Sequence, residues 1–375
     1  MYPLLVFDSS INLLAEIDDY EYLCWTYKWR KFDNYILKVN RYKNNVEFLS
    51  KGNLIAILRN GEYKVGIIER RELALDQEGK ISEILNIIGR GLDGLCEERI
   101  ALHNTTIGNG YDEQDTNAES AMKHYVDVNM INAVDPDRNI SLLELEPNQA
   151  RGSEVSYRGR FQSISKVLEE ISLVSGLGWG VTLDITNKKF VFKVYEGLDR
   201  SSGNGLNSTV IFSPEFDNTK LLNFIESMID SKNTAYVGDQ ETAQNRTVVK
   251  VTKDDEIFIG LNRREFFIDA RDKATSEQLG QKGKEQLAEK GEEIAFEIEN
   301  LSTGPFELGV DFNMGDIVTI NYPDVAIMDS RIIEVVEEIT PESGLTNKLT
   351  FGRELPDLLS LIKQDRNNFD PEIRR

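Results

Sequence analysis

The stretch Gly52-Asn53-Leu54-Ile55-Ala56-Ile57 returns in altered form as Gly315-Asp316-Ile317-Val318-Thr319-Ile320. In both stretches a glycine and a small polar residue precede an apolar run. This pattern predicts a turn that leads into a β-strand, because Gly, Asn and Asp tolerate a positive φ. A similar second strand follows in each case: Gly66-Ile67-Ile68-Glu69 after the first stretch and Arg331-Ile332-Ile333-Glu334 after the second. We interpret the two regions as copies of one internal repeat.

A third predicted strand completes each copy and ends in Gly-Arg, at Gly89-Arg90 and at Gly352-Arg353. In both copies 37 positions separate the first glycine from the last. A three-stranded meander cannot bury both faces, so each copy needs further strands to close a barrel. The alternative is that two unrelated meanders share a common pattern. The residues predicted to form the strands and turns of the repeat are Gly52, Leu54, Ile55, Ile57, Gly66, Ile67, Ile68, Gly89, Gly315, Asp316, Ile317, Val318, Ile320, Ile332, Ile333 and Gly352.

The whole chain predicts a mixed α+β, β-rich fold with two related β-barrel domains and an inserted α/β domain. Short apolar alternations fill the first hundred residues, as in barrels. Helical spacing predicts a helix over 160–175, and further helices are predicted over 117–131, 276–291 and 356–363. We expect a first barrel over 1–104 completed by strands from 205–255, an inserted α/β domain over 105–204, a second barrel region with a helix over 256–363, and a tail over 364–375.

The composition is globular and strongly acidic. Hydrophobic residues make up 40% of the 375 residues, and 43 basic against 64 acidic residues give a formal net charge of −21. Such a surface repels nucleic acid and anionic membranes, because binding phosphates requires clustered cations. Cys24 and Cys96 are too few for a disulfide framework, so we interpret them as buried thiols in a reducing compartment. No apolar run predicts a transmembrane helix, and the N-terminus does not resemble a signal peptide.

The sequence predicts no catalytic residues, no metal ligands and no cofactor. The two histidines, His103 and His124, lack the partners of a zinc motif. The nucleophile elbow of hydrolases and the phosphate-binding loop are also missing. Acidic pairs such as Glu169-Glu170 are interpreted as solvated faces. We therefore expect a protein that is not an enzyme.

An aromatic stripe lies between the first predicted strands of the chain. Trp25, Tyr27 and Trp29 alternate with smaller or polar residues, so on a strand the three rings share one face. Such a face is more often part of a core, or is covered by a neighbouring subunit, than a platform for sugars. We predict these three residues as a candidate subunit interface.

The ordered set of motifs resembles the tail-hub proteins of long-tailed phages and prophages. This family includes the N-terminal part of tail-associated lysins and the hub of contractile-tail baseplates. The stretches that carry the resemblance are 52–57, 65–69, 88–92 leading into 99–100, 312–318, 331–335 and 351–352. Each motif alone is common in β proteins, and the order and spacing of the set give it its specificity.

The resemblance implies a homotrimer that forms a ring at the tail tip. The ring would join the six-fold tail tube or distal tail ring to a three-fold tip carrying receptor-binding or fibre proteins, and DNA would pass through it without specific binding. The protein would reside in the virion tail after assembly in the host cytoplasm. Many relatives carry a C-terminal extension that acts on cell walls or binds a receptor. This chain stops soon after the second predicted barrel, so we expect no such activity in it; a separate gene could supply one.

Two other functions remain open at this point. One is a tail-tip cell-wall hydrolase or carbohydrate-binding protein that uses the aromatic stripe and acidic residues. The other is a spike component of a protein-secretion system with the same architecture. The acidic balance fits a channel wall that does not retain DNA, and it equally fits an ordinary soluble surface.

Overall fold

A computed structural model of the chain describes residues 2–59, 61–75, 79–103, 110–229, 231–239, 246–270, 275–300, 304–323 and 326–352. Three predicted features lie outside the described residues: the helix over 356–363, the tail over 364–375 and Arg353 of the second Gly-Arg pair. Asn60 also lies outside them. No helix in the described part of the chain is long and apolar enough to cross a membrane.

The N-terminal region is built from antiparallel strands whose side chains alternate between buried and exposed. Tyr35, Leu37 and Val39, for example, are buried, whereas the residues between them are exposed. This alternation is the period of a strand with one face on a core. The strands are β1 (Leu4–Phe7), β2 (Leu13–Ile17), β3 (Tyr22–Lys28), β4 (Asn34–Asn40), β5 (Leu54–Arg59), β6 (Glu62–Leu75) and β7 (Ile81–Gly91).

The middle of the chain is a small α/β region with two capped helices. Asn117 accepts a hydrogen bond from the Ser120 amide, and Gly176 ends the second helix at φ 76°. That helix begins at residue 164 rather than 160, because the Ser163 side chain caps it. The elements are β8 (Asp112–Asn117), α1 (Ala118–Val126), β9 (Leu143–Leu145), β10 (Glu154–Gly159), α2 (Ile164–Ser175), β11 (Gly178–Asp184) and β12 (Lys189–Tyr195).

The C-terminal region returns to strands around a third helix. That helix begins at a capping box in which Thr275 and Gln278 satisfy each other's backbone amides. The elements are β13 (Ile211–Phe212), β14 (Thr219–Ser227), β15 (Thr234–Gly238), β16 (Val248–Thr252), β17 (Glu265–Asp269), α3 (Ser276–Glu289), β18 (Glu293–Asn300), β19 (Ile317–Tyr322), β20 (Ala326–Thr340) and β21 (Gly344–Gly352).

One 13-stranded sheet contains strands from both predicted barrels. Its path runs β14-β18-β21-β20-β3-β4-β7-β6-β5-β1-β2, with β19 and β13 beside β20. Along the described strands the sheet does not close on itself, so the two closed barrels of the prediction are not confirmed; the two regions form two halves of one sheet. The reason is the length of β20: β19 pairs with its first half and β3 pairs with its second half.

The sequence predicts that strands from 205–255 complete the first barrel. In the structure these strands do not pair with the first half of the large sheet. β13 pairs with β19 and β14 pairs with β18, both in the second half. β15 and β16 form a separate three-stranded sheet with β17, against which α3 packs. The insertion between β14 and β18 therefore has a small core of its own.

The two halves of the large sheet share one hydrophobic core. Trp25 and Ile57 from the first half belong to the same buried cluster as Phe296 and Ile332 from the second. A second core lies between the sheet and the α/β region. β5 is buried on both faces, because alternate side chains enter the two cores.

Candidate functional site

The two halves of the large sheet are copies of one five-stranded module. The first module is β3, β4, β5, β6 and β7, and the second is β14, β18, β19, β20 and β21. The strands follow the same order along the chain and the same order in space, which is β3-β4-β7-β6-β5 in the first module and β14-β18-β21-β20-β19 in the second. The internal repeat is therefore present and extends over five strands instead of the three that the sequence indicates.

The two predicted turns are equivalent in detail. Gly52 has φ 87° and Gly315 has φ 90°, which suits the third position of a type II turn. Each turn closes with an i to i+3 hydrogen bond, from the Asn53 amide to the Ser50 carbonyl (3.1 Å) and from the Asp316 amide to the Asn313 carbonyl (3.2 Å). A glycine turn therefore precedes the apolar strand in both copies.

The structure moves the correspondence of the later strands by one residue. The Gly52 amide donates to the Ile68 carbonyl, and the Gly315 amide donates to the Ile332 carbonyl, both at 2.8 Å. Ile68 therefore corresponds to Ile332, not to Ile333. The cause is the hairpin: Arg59 pairs with Glu62, whereas Tyr322 pairs with Ala326, so the second connection is one residue longer.

The shift also separates the two final glycines that the sequence pattern matches. Ile68 pairs with Gly89, whereas Ile332 pairs with Phe351, so Gly89 corresponds to Phe351 and not to Gly352. In both modules the strand carries a bulge directly after this position. Glycine is required at the two positions for different reasons. At Gly89 a Cβ would lie 1.9 Å from the Ile67 carbonyl oxygen, whereas Gly352 has a left-handed backbone with φ 84°.

Aromatic pairs occupy equivalent places in the two modules. Trp25 on β3 stacks on Tyr35 of β4, with ring centroids 4.8 Å apart. Phe224 on β14 packs on Phe296 of β18 at 4.7 Å. The strand register makes Trp25 equivalent to Phe224, because Tyr35 pairs with Gly89 and Phe296 pairs with Phe351. The sequence did not reveal this part of the repeat.

The modules meet where β3 runs antiparallel along the second half of β20. The register places Tyr27 opposite Val335, Trp25 opposite Glu337 and Leu23 opposite Ile339. All six of these side chains are buried. The junction is therefore a piece of continuous sheet with a sealed inner face.

A buried ion pair lies at the centre of this junction. Arg59 donates from Nε to one oxygen of Glu337 (2.9 Å) and from a terminal nitrogen to the other (2.7 Å), and the Tyr27 hydroxyl donates to the same carboxylate (3.1 Å). Burial opposes the charged guanidinium, but the hydrogen bonds that Arg59 donates to Glu337, together with the negative charge of Glu337, prevail and raise the pKa of Arg59. Burial, followed by the Glu337 charge, raises the pKa of Tyr27 well above its usual range. The pair links β5 to β20 across the core.

A cleft of about 440 Å³ opens beside the junction. The Arg59–Glu337 pair, Tyr27 and Trp29 line it from the two modules, and Tyr195 lines it from the α/β region. Arg59 and Glu337 already pair with each other. We therefore interpret the cleft as a gap where the two modules and the α/β region meet, not as a binding site.

The aromatic stripe, which the sequence indicates as core or as a candidate subunit interface, is covered inside the single chain. Trp25, Tyr27 and Trp29 are all buried within the chain itself. The Trp29 indole donates to the Gly176 carbonyl (3.0 Å) and its ring lies against Gly315, where a Cβ would approach it to 2.2 Å. The stripe is thus an internal joint between the two modules and the α/β region.

Most other predicted repeat residues are strand core. Ile67 and Ile317 are half-buried; each lies in the last residue pair between its own strand and the neighbouring strand of its hairpin. Gly66 packs closely on the Tyr35 ring. Asp316 is buried and has a role that the sequence did not indicate. The residues that are fully buried in the sheet are Leu54, Ile55, Ile57, Ile68, Val318, Ile320, Ile332 and Ile333.

Asp316 fastens the chain that returns from the α/β region. Its carboxylate accepts hydrogen bonds from the Leu198 amide (2.8 Å) and from Arg200 Nε (2.9 Å). Sequence reasoning missed Arg200, Arg59 and Glu337. The available signal was Glu337, a charged residue at an inward position between the apolar Val335 and Ile339, which requires a buried partner.

The described residues contain no group of three or more side chains suited to hold a metal ion. His124 Nε2 lies 2.8 Å from a carboxylate oxygen of Asp112, within hydrogen-bond distance. Both cysteines are free thiols; Cys96 is buried and Cys24 half-buried, and burial raises the pKa of each.

The sequence profile of the siphovirus ReqiPepy6 Gp37-like proteins matches residues 3–353, which is nearly the whole described chain. The chain belongs to this siphovirus family. No curated protein matches it in sequence. Membership of the Gp37-like family confirms the predicted resemblance to tail proteins of long-tailed phages and prophages, and places the protein in the virion tail.

Solved prophage tail proteins share the fold over nearly their whole length. A 43 kDa tail protein of prophage MuSo2 from Shewanella oneidensis has a TM-score of 0.59 at 11% identity, with 94% of this chain and 98% of that chain covered. A tail protein from Neisseria meningitidis MC58 has 0.56 at 14%, with 94% and 97% covered. Prophage tail protein gp18 from Listeria monocytogenes EGD-e has 0.53 at 13%, with 97% and 98% covered. The Gp37-like chain thus has a β-rich phage tail protein fold.

Proposed function

We propose that this tail protein is the hub at the tail tip, and that three copies form a ring which adapts the six-fold tail tube or distal tail ring to a three-fold tip. The observation that carries the proposal is the pair of five-stranded modules within one chain. A trimer of such chains presents six nearly equivalent modules, which matches a six-fold neighbour on one face. The differing insertions of the two modules leave the other face three-fold.

The edge-to-edge junction inside the chain supports a ring more than a compact cluster. β3 joins β20 as neighbouring strands of one sheet, with a buried inner face. A repeated side-by-side contact of this kind is heterologous, and heterologous contacts close into rings when the rotation allows. The hole of the ring would be the channel for DNA.

The acidic composition is consistent with such a channel. A wall that carries negative charge does not retain phosphates, and the chain has a formal net charge of −21. We propose that DNA passes without specific binding. A wall lined by grouped lysines in an assembled ring would contradict this part of the proposal.

We also propose that the protein is structural and not catalytic, with itself, a tail-tube or distal-tail ring and a tip or fibre protein as partners. The relatives of the same fold are tail proteins, and the two charges at the centre of the junction beside the cleft, Arg59 and Glu337, are paired with each other. An assay of the purified chain on cell walls tests this point, and release of fragments would favour the hydrolase alternative instead.

The test of the hub role is the mass of the purified chain by light scattering, followed by binding to the tail-tube or distal-tail protein of the same phage. We expect the mass of three 42.7 kDa subunits and a complex in which one ring binds one six-fold ring. A chain that stays monomeric both alone and with these partners would overturn the proposal.

A further inference from the structure

The second module has one strand edge covered by the first module, and the equivalent edge of the first module is free. β19 pairs with residues 326–331 of β20, and β3 continues along the same edge over 334–339. In the first module, β5 pairs with residues 62–67 of β6. Along residues 70–75, which we call the β6 edge, β7 is the only partner among the described strands.

We propose that the β6 edge of one subunit binds β14 of a second copy of this chain, in the register of the β3–β20 junction. The inference rests on the proposed ring, because it specifies the strands that join its subunits. β14 is the equivalent of β3 in the second module. At the end of the sheet path, β14 pairs with β18 alone among the described strands.

The inward side chains of the β6 edge are exposed where their counterparts are buried. The bulge after Ile68 and Ile332 aligns Arg71 with Val335 and Leu73 with Glu337. A second register shift between Leu73 and Leu75 ends the correspondence there. The β20 residues are buried beneath β3. On β6, Leu73 is 43% exposed and Leu75 is 67% exposed. Two exposed leucines on an open strand edge indicate a surface that another strand covers.

β14, the proposed partner strand, also has side chains that are more exposed than their equivalents on β3. Trp25 and Trp29 of the first module are 1% and 2% exposed. Their equivalents are Phe224, which is only partly buried, and Met228, which is 51% exposed. Both strands of the proposed contact thus lack the cover that their counterparts receive inside the chain.

The copied register produces complementary pairs. Within the chain, Trp25 lies opposite Glu337. The equivalent pair between two subunits would be Phe224 opposite Leu73, in which an aromatic ring contacts an apolar side chain. Tyr27 opposite Val335 becomes Glu226 opposite Arg71, and both of these charged residues are exposed in the single chain. Opposite charges directly across antiparallel strands attract, and like charges there repel. The contact is a strand addition, with backbone hydrogen bonds for affinity and these pairs for register.

The experiment reverses the Arg71–Glu226 pair in the full-length chain. Arg71→Glu places two carboxylates face to face and Glu226→Arg places two guanidinium groups face to face. We expect each to raise the concentration at half-assembly by roughly tenfold, and the double variant to restore assembly. Arg70→Glu is the matched control, because it makes the same charge change on the same strand but lies opposite Ser227 in the copied register. Circular dichroism checks that each variant is folded.

A second variant tests the contact covalently. Leu73→Cys together with Phe224→Cys should give a disulfide-linked trimer on mild oxidation, because directly opposed residues bring their Cα atoms within disulfide range. Each single variant is the control and should remain uncrosslinked.

The outcomes separate this interface from the ring itself. A wild-type ring whose assembly responds to Arg71→Glu no more than to Arg70→Glu, and which does not crosslink, overturns the β6–β14 contact and leaves the hub proposal standing. A wild-type chain that forms no ring, alone or with its tail partners, overturns both.

Discussion

The two modules have the same strand arrangement but differ at one strand edge. In the second module β3 covers this edge of β20, whereas in the first module the equivalent edge of β6 has no strand partner among the described residues. In the second module the inward position of β20 is Glu337, which is sealed by Arg59 from the other module. In the first module the equivalent position is Leu73, which is half-exposed. A buried charge with a partner fixes a permanent contact within the chain, whereas an apolar residue on an open edge suits a contact that forms later. If the proposed ring forms, one junction is made during folding and the other when subunits assemble.

The modules also differ in where extra chain is inserted. Residues 29–33 connect β3 to β4 directly, whereas the connection from β14 to β18 contains β15, β16, β17 and α3. Because the insertion enters at a turn, it leaves the strand pairing unchanged. Near-equivalent sheets with unequal decorations are what a ring needs when its two faces meet partners of different symmetry.

The largest predicted effect comes from the equivalent aromatic rings. Trp25→Ala should lower the free energy of unfolding by about 3–5 kcal/mol, because the ring is fully buried at the closed junction. Phe224→Ala should cost only about 1 kcal/mol in the isolated subunit. Urea unfolding of both variants measures the difference, and equal losses would contradict the open edge of β14.

The next effect concerns the ion pair and its apolar counterpart. Glu337→Ala leaves the Arg59 charge buried without its carboxylate, which should cost about 3–5 kcal/mol. Leu73→Ala should change the stability of the free subunit by about 0.5 kcal/mol. Denaturant titration checks both values. A Glu337→Ala variant as stable as the wild type would mean that the pair does not hold the junction.

The two glycine turns allow a matched pair of substitutions. Gly52→Ala meets no neighbour and should cost about 1–2 kcal/mol for its left-handed backbone. Gly315→Ala has the same backbone strain and also drives a Cβ into the Trp29 ring, which should add about 1–3 kcal/mol. Thermal unfolding of the two variants tests this, and identical melting temperatures would argue against the Trp29 contact.

The last predicted effect is a pH dependence at Asp33, in the connection between β3 and β4. Asp33 accepts a hydrogen bond from the Lys28 amide (2.9 Å), and its own amide faces the buried Asp93 carboxylate. Burial, opposed by the charge of Lys64, raises the pKa of Asp33 from 3.8 to about 6. The neutral form is therefore favoured in the folded state, and its stabilisation is complete below about pH 4 and lost as the pH rises through about 6.

Asp33→Asn keeps the acceptor and removes this titration. The difference in unfolding free energy between the wild type and this variant should shift in favour of the variant from pH 4 to pH 7. Denaturation at the two pH values measures it, and a difference that does not change with pH would show that Asp33 does not titrate in this range.

Local patterns in the sequence were enough to predict the turns at Gly52 and Gly315, the apolar strands after them and a helix at the place of α2. The equivalence of β3 with β14 was not predictable, because Trp25 and Phe224 share only their place in the sheet and a long insertion follows β14. The shift that aligns Ile68 with Ile332 was hidden by a one-residue difference between two hairpins. A chance match of two Gly-Arg pairs obscured it further.

The junctions lay beyond sequence reasoning for a different reason. Arg59 and Glu337 are far apart in the chain, and strand edges that pair at such a distance leave no periodic pattern in either segment. The aromatic stripe was recognised as a buried face, but the element that covers it could be identified only from the pairing of β3 with β20.

The central claim is that six alike modules from three chains form one ring. The most direct measurement is a cryo-electron microscopy reconstruction of the purified full-length chain, without imposed symmetry. We predict a three-fold ring of six similar modules, with β14 of each subunit continuing the sheet of the next at the β6 edge. A monomer, or a two-fold dimer in which the β6 edge remains uncovered, would contradict it.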